Sequence, residues 1–235
     1  MLEDFARDGE PFFLQCSFPD PHHPFTPPGR YWDLYRPDDM PLPATFGAPA
    51  VDEPPALAWL RAQRQADPAF RPGYGAFACN AQEAREAQAL NHGSLACIDD
   101  AVGRVMATLA QLGLDRDTVV IFTSDHADLF GDRGLMFKGG LHYGALTRVP
   151  FIWRDPQAAH RGVCRAALAQ SIDLAPTVLA RAGLAPTNGM QGISLLPVLD
   201  GQTPDGRTAL LIEEEGQRRD YGMTQRMRLR TDRKS

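Results

Sequence analysis

The 235-residue sequence predicts an α/β protein with a mostly parallel central sheet, because helical patterns alternate with short, strongly apolar strand patterns. Residues 119–122 read Val-Val-Ile-Phe, a β-branched and aromatic run typical of a strand buried on both faces. Residues 81–112, before it, carry a long helical pattern. A helix that precedes a strand in this way is the connection that parallel strands require.

The elements before this strand follow from local patterns. Residues 11–18 predict a strand, and a Pro-rich, aromatic loop follows to about residue 55, where it would wall an active site. Residues 57–66 predict a helix. In the helix predicted over 81–112, apolar residues recur at intervals of three and four and predict one face packed on the sheet: Leu95, Ile98, Val102, Val105, Leu109 and Leu112. Gly113 ends that helix.

Three further elements are predicted after it. Residues 150–154 predict a strand, Ser171 is the predicted N-cap of a helix that runs to Ala182, and Gly183 lies just beyond its end. Residues 208–214 predict another strand. We therefore expect residues 1–207 to form the main domain and residues 208–235 to begin a C-terminal strand region that is truncated.

Composition excludes several classes of protein. The chain is 43% hydrophobic, enough for a sizeable core, and its net charge of −5 gives no reason to expect nucleic-acid binding. The basic residues after residue 216 are interpreted as a solvated strand edge or a frayed end, rather than a site for an anionic partner. No apolar run reaches the roughly 18 residues of a membrane span. The four unpatterned cysteines indicate reduced thiols, which favours a cytoplasmic location, and oligomeric state is left open.

The most informative stretch is Thr-Ser-Asp-His, which ends in Asp125 and His126 directly after the predicted buried strand. Ligands collect at the carboxyl ends of strands in open α/β sheets, and a carboxylate beside an imidazole can share a divalent cation there. Lys138, in a Lys-Gly-Gly sequence, follows twelve residues after His126. The alternative is that Asp125 caps the next helix and His126 is a surface histidine.

Three groups of motifs resemble one family, the type I sulfatases and their phosphonate monoester hydrolase relatives in the alkaline phosphatase superfamily. The first is residues 17–25, with His-x-Pro-Phe beginning at His22, followed by residues 31–35. The second is residues 124–132, 138–143 and 148–153, and the third is residues 172–177 and 190–196. The resemblance implies an alkaline phosphatase-like, three-layer α/β sandwich, of which this chain is an incomplete part.

The resemblance also implies roles for single residues. Asp125 and His126 would be ligands of a divalent metal, Ca²⁺ or alternatively Mn²⁺. Lys138 would place an ammonium against the sulfate or phosphate oxygens, and His22 would assist the leaving group. His23 is adjacent, but the pattern selects His22. The alternatives are a solvated lysine in a Gly-rich loop and a loop histidine before proline.

Departures from the family pattern shape the functional prediction. Enzymes of this type use a cysteine in Cys-x-Pro-x-Arg, oxidised to formylglycine, and none of the cysteines here has that context. Ala127 stands where relatives commonly have Gly, and Arg133 replaces a usual His. The sequence therefore predicts a metal-dependent, sulfatase-like hydrolase of small-molecule sulfate monoesters, present as a fragment without its nucleophile motif. The alternatives are a phosphonate or phosphate ester hydrolase, or a non-catalytic remnant or interaction module.

Overall fold

The computed structural model describes residues 1–48, 53–72, 75–218 and 223–232, with side chains up to residue 213. These residues form two compact units. The first comprises the described residues of Met1–Thr118 and His126–Val149, and the second those of Val119–Asp125, Pro150–Arg219 and Met223–Ser235. The domain boundary predicted between residues 207 and 208 falls inside the second unit and stays a prediction.

Helices and strands alternate along the described part of the chain. The α-helices are α1 (Leu2–Asp8), α2 (Pro55–Ala66), α3 (Ala81–Gln111), α4 (Gly144–Thr147), α5 (Leu174–Arg181) and α6 (Leu196–Leu199). The strands are β1 (Phe77–Ala78), β2 (Val120–Thr123), β3 (Leu135–Met136), β4 (Phe151–Arg154), β5 (Ala209–Arg218) and β6 (Met223–Asp232). No helix among these residues is both long and apolar enough to cross a membrane.

The two helices predicted in the first half of the chain are confirmed as α2 and α3. The start of α3 is fixed by a capping box, in which the Asn80 side chain accepts a hydrogen bond from the Glu83 backbone N–H and the Glu83 carboxylate accepts one from the Asn80 N–H. Glu83 also pairs with Arg64 of α2 at 2.6 Å. The same residue therefore sets the helix start and joins α3 to α2.

The fully buried residues of α3 coincide with the predicted face only at Leu109, while Ile98, Val102, Val105 and Leu112 are partly buried. Its buried residues are mainly small or polar and lie in the first half of the helix: Ala84, Gln88, Ala89, Asn91, Gly93, Ser94 and, later, Leu109. Leu95, which begins the predicted apolar face, is 44% exposed. The predicted face is only partly buried because α3 packs against irregular loops, whose free carbonyl groups need hydrogen-bond donors, and not against a flat apolar sheet.

Gly93 marks the closest approach between α3 and one of these loops. A Cβ atom at this position would collide with the Tyr31 carbonyl oxygen and press on the Pro27 ring. Glycine therefore lets the segment from Pro27 to Tyr31 lie directly on the helix backbone.

The strand predicted over residues 11–18 is wrong. The structure has no regular secondary structure there, and Phe13 is exposed. Alternating apolar residues produce a strand only where a neighbouring strand binds their N–H and C=O groups, and no described strand lies beside this segment.

The strand carrying the Thr-Ser-Asp-His motif is confirmed as β2, but it is not buried on both faces. It pairs with β4 in an antiparallel two-stranded sheet, in which Phe122 lies opposite Ile152. Both side chains of this cross-strand pair are exposed. The other described strand pairs, β1 with β3 and β5 with β6, are also antiparallel, so no pair of described strands has the predicted parallel arrangement. The parallel pairing that is described is an isolated bridge between Leu168 and Gly206.

The remaining predicted elements are present with shifted bounds. The predicted strand over 150–154 is β4, and that over 208–214 corresponds to β5. Ser171 does not cap the helix, because it lies inside a 3-10 turn, Ser171–Asp173, whose capping box is formed by Gln170 and Asp173. Helix α5 follows, and Gly183 lies just past its end with a φ of 72°, as predicted.

Asp173 holds the second unit together at the start of α5. Its carboxylate is fully buried, pairs with Arg207 at 2.5 Å, and accepts hydrogen bonds from the backbone N–H groups of Gln170 and Ile193. The hydroxyl of Thr177 accepts a hydrogen bond from the Leu195 N–H at 2.9 Å. The third motif of the sequence therefore has a structural role, because it fastens the chain around residues 193–195 to α5.

We expect Asp173→Asn to lower the free energy of unfolding by about 3–5 kcal/mol, because it leaves the part-buried Arg207 guanidinium without its counter-charge. Urea unfolding followed by circular dichroism measures this change.

The matched control is Asp205→Asn, an exposed carboxylate in the same unit, which should change stability by no more than about 0.5 kcal/mol. Equal effects of the two substitutions would contradict a specific role for Asp173.

Candidate active site

A closed loop in the first unit carries Lys138. The Ala127 N–H donates to the Leu146 carbonyl at 3.1 Å, and inside that closure the Leu129 N–H donates to the Phe137 carbonyl at 2.8 Å. Lys138 directly follows Phe137, at the point where the inner loop closes. The backbone position of Lys138 is therefore fixed by hydrogen bonds that close the loop.

Three residues of this loop have a left-handed backbone. They are Phe130, Arg133 and Phe137, with φ values of 42°, 51° and 64°. A left-handed conformation costs a residue with a side chain roughly 1–2 kcal/mol, so contacts elsewhere must hold each one in place. Ala127 is not among the described residues with positive φ, so its Cβ atom causes no such strain at the position where relatives have Gly.

Arg133 is held from both its backbone and its side chain. Its N–H donates to the Thr45 hydroxyl at 3.0 Å, and its carbonyl accepts from the Arg61 guanidinium at 2.6 Å. Its own guanidinium lies 4.5 Å from the centre of the Tyr143 ring. The substitution of arginine for the usual histidine is thus accommodated by specific contacts.

Two amide side chains on α3 anchor the segments that carry the site. Gln88 donates to the Phe130 carbonyl at 3.0 Å, and Asn91 donates to the Pro21 carbonyl at 3.3 Å. Both amides are buried. One helix therefore fixes both Pro21, the residue before His22, and Phe130, one of the three left-handed residues in the loop that carries Lys138.

His22 is exposed and has a defined tautomer. Its Nδ1 atom lies 2.5 Å from the His23 carbonyl oxygen. A carbonyl can only accept, so Nδ1 carries the hydrogen and donates it. The Nε2 atom is then left to exchange a proton with a ligand.

His23 lies between His22 and the strained turn. Its ring centre is 4.1 Å from that of His22 and 4.1 Å from that of Phe137, on which it stacks with an interplanar angle of 13°. Burial, and then the nearby charges of His22 and Lys138, lower the pKa of His23 below its usual 6.5, while the Asp128 carboxylate opposes them. The charges of His22 and Lys138 therefore both reach the His23 ring.

Two buried polar atoms whose groups act on this ring, Lys138 Nζ and Asp128 Oδ1, have no hydrogen-bond partner among the described residues, and neither has His142 Nδ1 elsewhere in the same unit. A buried ammonium without a partner is costly, because it has lost its water and gained no acceptor. The arrangement suits a bound anion, whose oxygen atoms would accept from Lys138.

The predicted metal ligands are consecutive residues that fall in different units of the chain. Asp125 is the last residue of its stretch in the second unit, and its carboxylate accepts from the Ser124 hydroxyl at 3.3 Å. His126 begins the next stretch of the first unit, and its Nδ1 lies 3.3 Å from the Ala127 carbonyl oxygen.

The described residues do not make a complete metal site. Both donors suit a divalent cation chemically, but no group of three or more His, Cys, Asp or Glu side chains is placed to hold a metal within the described part of the chain. Ca²⁺ takes six to eight oxygen ligands. Asp125 and His126 therefore provide only part of such a set.

Sequence reasoning missed several residues of this cluster. Asp128 and His142 lie inside the motifs already quoted, so their polar side chains beside Asp125 and Lys138 were the available signal. Phe137 gave no signal, because its ring acts through a backbone conformation that no sequence pattern indicates. His23 was considered and set aside in favour of His22.

A separate cavity of about 540 Å³ lies on the first unit, between α3 and the segment around the 3-10 helix Gly29–Tyr31. Its walls include Tyr35, His92 and Leu95. None of the residues predicted for the active site lines it. The His22 and Lys138 cluster is therefore distinct from this cavity.

Known proteins match this chain over most of its length. It is 35% identical over 214 residues to the multifunctional alkaline phosphatase superfamily protein PehA of Trinickia caryophylli, covering 88% of this chain and 41% of that protein. It is 29% identical to the arylsulfatase of Clostridium perfringens, covering 84% of this chain and 40% of that protein. The crystal structure of the phosphonate monoester hydrolase of Agrobacterium radiobacter matches with a TM-score of 0.71 and 28% identity, over 94% of this chain and 47% of that one.

These comparisons agree with the mixed α/β fold. The chain spans less than half the length of each of these three proteins. The family model described as Sulfatase matches residues 1–184, more than three quarters of the 235 residues. The chain belongs to the sulfatase family.

Proposed function

We propose that this chain supplies the anion-binding and leaving-group side of a hydrolase site for small sulfate monoesters. The observation that carries the proposal is the buried Lys138 ammonium, which has no hydrogen-bond partner among the described residues and lies in a cluster with His22, His23 and Asp128. A site built for a neutral ligand would not leave a cation unsatisfied.

Lys138 and His22 would act on different oxygen atoms of the ester. The Lys138 ammonium would hold the non-bridging oxygens, where negative charge builds up in the transition state. His22 would protonate the bridging oxygen through Nε2, because its Nδ1–H is already held by the His23 carbonyl.

We propose that Asp125 and His126 bind a divalent metal, Ca²⁺ or alternatively Mn²⁺, as part of a larger ligand set. Proteins of this family are divalent-metal dependent. A bound cation would polarise an oxygen of the sulfate group. Both predicted ligands have a second hydrogen-bonding contact that orients them, the Ser124 hydroxyl and the Ala127 carbonyl.

A phosphonate or phosphate ester is the second candidate substrate. It is favoured by the 28% identity to a phosphonate monoester hydrolase structure. The oxyanion chemistry of Lys138 and His22 is the same for sulfur and phosphorus. Substrate preference then has to be measured with matched esters.

The proposal extends to the nucleophile, the fold and the location. None of the four cysteines lies in Cys-x-Pro-x-Arg, so we propose that residues 1–235 do not contain the nucleophile. We propose that β2 belongs to a mostly parallel sheet in a three-layer sandwich, as the resemblance to the alkaline phosphatase superfamily implies. The free thiols of the described cysteines support a cytoplasmic location.

The first prediction concerns metal binding. We expect the chain to bind Ca²⁺ and Mn²⁺ more weakly than micromolar, because two protein ligands satisfy only part of the six or more that these ions take. Isothermal titration calorimetry measures the affinity. Micromolar binding that is abolished by Asp125→Ala, but not by Asp115→Ala, would contradict this expectation and reveal further ligands.

The second prediction concerns catalysis. The chain alone should not hydrolyse p-nitrophenyl sulfate, because a positioned cation without a nucleophile gives little acceleration. A hybrid that joins the N-terminal part of PehA, up to its matched region, to this chain should hydrolyse the ester. In that hybrid, Lys138→Ala should lower kcat by about 10²–10³-fold, the scale of one lost oxyanion donor.

Arg116→Ala is the control, since Arg116 is an exposed cation of the same unit, and it should change kcat by less than about twofold. His22→Ala should impair phenyl sulfate more than p-nitrophenyl sulfate, because p-nitrophenolate leaves without needing a proton. A folded hybrid that hydrolyses neither sulfate nor phenylphosphonate esters would favour the non-catalytic remnant or interaction module instead.

The third prediction concerns the charge balance around His23. In an NMR titration, the His23 ring should have a pKa below 6.5, so that the stability contributed by its neutral form is present above pH 6.5 and lost as the pH falls through the pKa of the folded state. Lys138→Met should raise this pKa, and Asp128→Asn should lower it further. Shifts in the opposite directions would show that these charges do not face the ring.

A further inference from the structure

His23 occupies the variable position of the His-x-Pro-Phe motif, and the proposed mechanism assigns no task to its side chain. Its ring is nevertheless more confined than that of His22, because it is half-buried while His22 is exposed. It also contacts three aromatic rings, those of His22, Phe25 and Phe137. Such confinement of a polar ring beside a reactive one calls for a reason.

The first contact fixes His22. The His23 carbonyl accepts the Nδ1 hydrogen of His22, and the two rings lie 4.1 Å apart with an interplanar angle of 31°. Rotation of the His22 ring about its Cβ–Cγ bond would break the hydrogen bond and drive the ring into His23. His23 therefore fixes the direction in which the Nε2 atom of His22 points.

The second contact fixes the turn before Lys138. Phe137 has a φ of 64°, a conformation that an isolated phenylalanine avoids. The parallel stack with His23 at 4.1 Å covers one face of the Phe137 ring, and the edge of Phe77 packs against it at 5.1 Å. Loss of the stack would free the turn to relax and move Lys138.

We propose that His23 is a positioning residue, whose flat ring ties the His22 imidazole to the Phe137–Lys138 turn and so sets the spacing between the leaving-group acid and the oxyanion cation. This inference rests on the proposed function of His22 and Lys138. Its distinctive claim is that ring shape, not a proton on His23, carries the role.

The electrostatics of the cluster agree with a neutral spacer. His22 and Lys138 both disfavour a positive charge on His23, and only Asp128 favours one. A third cation between the other two would push them apart. A neutral ring separates the two working cations without adding to their repulsion.

The test compares two substitutions in the 235-residue chain. His23→Leu keeps apolar bulk but removes the flat ring, whereas His23→Phe keeps the ring and removes both nitrogens. The first readout is the NMR resonance of the His22 Cε1–H, which senses the ring current of residue 23. The second is the binding of inorganic sulfate and inorganic phosphate.

We expect His23→Leu to shift the His22 resonance and to weaken oxyanion binding by about 10–100-fold, the scale of a small misplacement of binding groups. His23→Phe should keep the binding of both anions within about threefold of that of the original chain, because it preserves the flat ring. A threefold change is well below the tenfold weakening expected at least for His23→Leu. His160→Ala, an exposed histidine in the second unit, should change neither readout.

Two results would overturn the inference: a His23→Leu variant that matches the original chain in both readouts, or a His23→Phe variant no better than His23→Leu. If His23→Leu fails to fold, as circular dichroism would show, the His23→Phe variant alone decides, because weak binding by that folded protein refutes the role of ring shape. Absence of oxyanion binding by the original chain is a different failure. It would refute the proposed function, while the His22 resonance would still test the positioning by His23.

Discussion

The site depends on a single constraint, the attachment of two irregular segments to one buried face of α3. Gln88 and Asn91 donate to the carbonyls of Phe130 and Pro21, and no water competes for these buried amides. Each hydrogen bond to an otherwise unsatisfied carbonyl contributes about 1 kcal/mol, and losing it would cost more because the carbonyl would stay buried. The buried polar face of α3 thus holds the segments that carry His22 and Lys138 in place.

The cluster gathers more positive than negative groups. Two positive charges, those of His22 and Lys138, act on the His23 ring, and one carboxylate, that of Asp128, opposes them. An environment with this imbalance favours an anion by electrostatics and keeps the histidine at its centre neutral. The loop that carries Lys138 also contributes, because its fixed backbone lowers the conformational entropy that would be lost when a ligand binds.

Local signals in the sequence predicted the parts of the fold that depend on neighbouring residues. The helical pattern over residues 81–112 is α3, Gly183 follows the end of α5, and the apolar run at β2 is a strand. The errors involve partners distant in sequence. Residues 11–18 lack a strand neighbour, β2 pairs antiparallel with β4, and the buried face of α3 is polar because it meets loops. The predicted His22 and Lys138 do belong to one cluster, whereas Phe137 could not be found, since its contribution is a backbone angle stabilised by tertiary contacts.

The position of the active-site segment is sensitive to any substitution of Gly93. Every other amino acid would bring a Cβ atom into the Tyr31 carbonyl, so the helix and the segment from Pro27 to Tyr31 could no longer share the same space. The His22 motif lies immediately before that segment, and Asn91, two residues before Gly93, holds its Pro21 carbonyl. A substitution of Gly93, which takes no part in the proposed reaction, would therefore displace the segment that carries His22. In a mutational scan, the effect of substitutions at Gly93 would therefore show whether the His22 segment must keep its position, and it would not show which reaction the site performs.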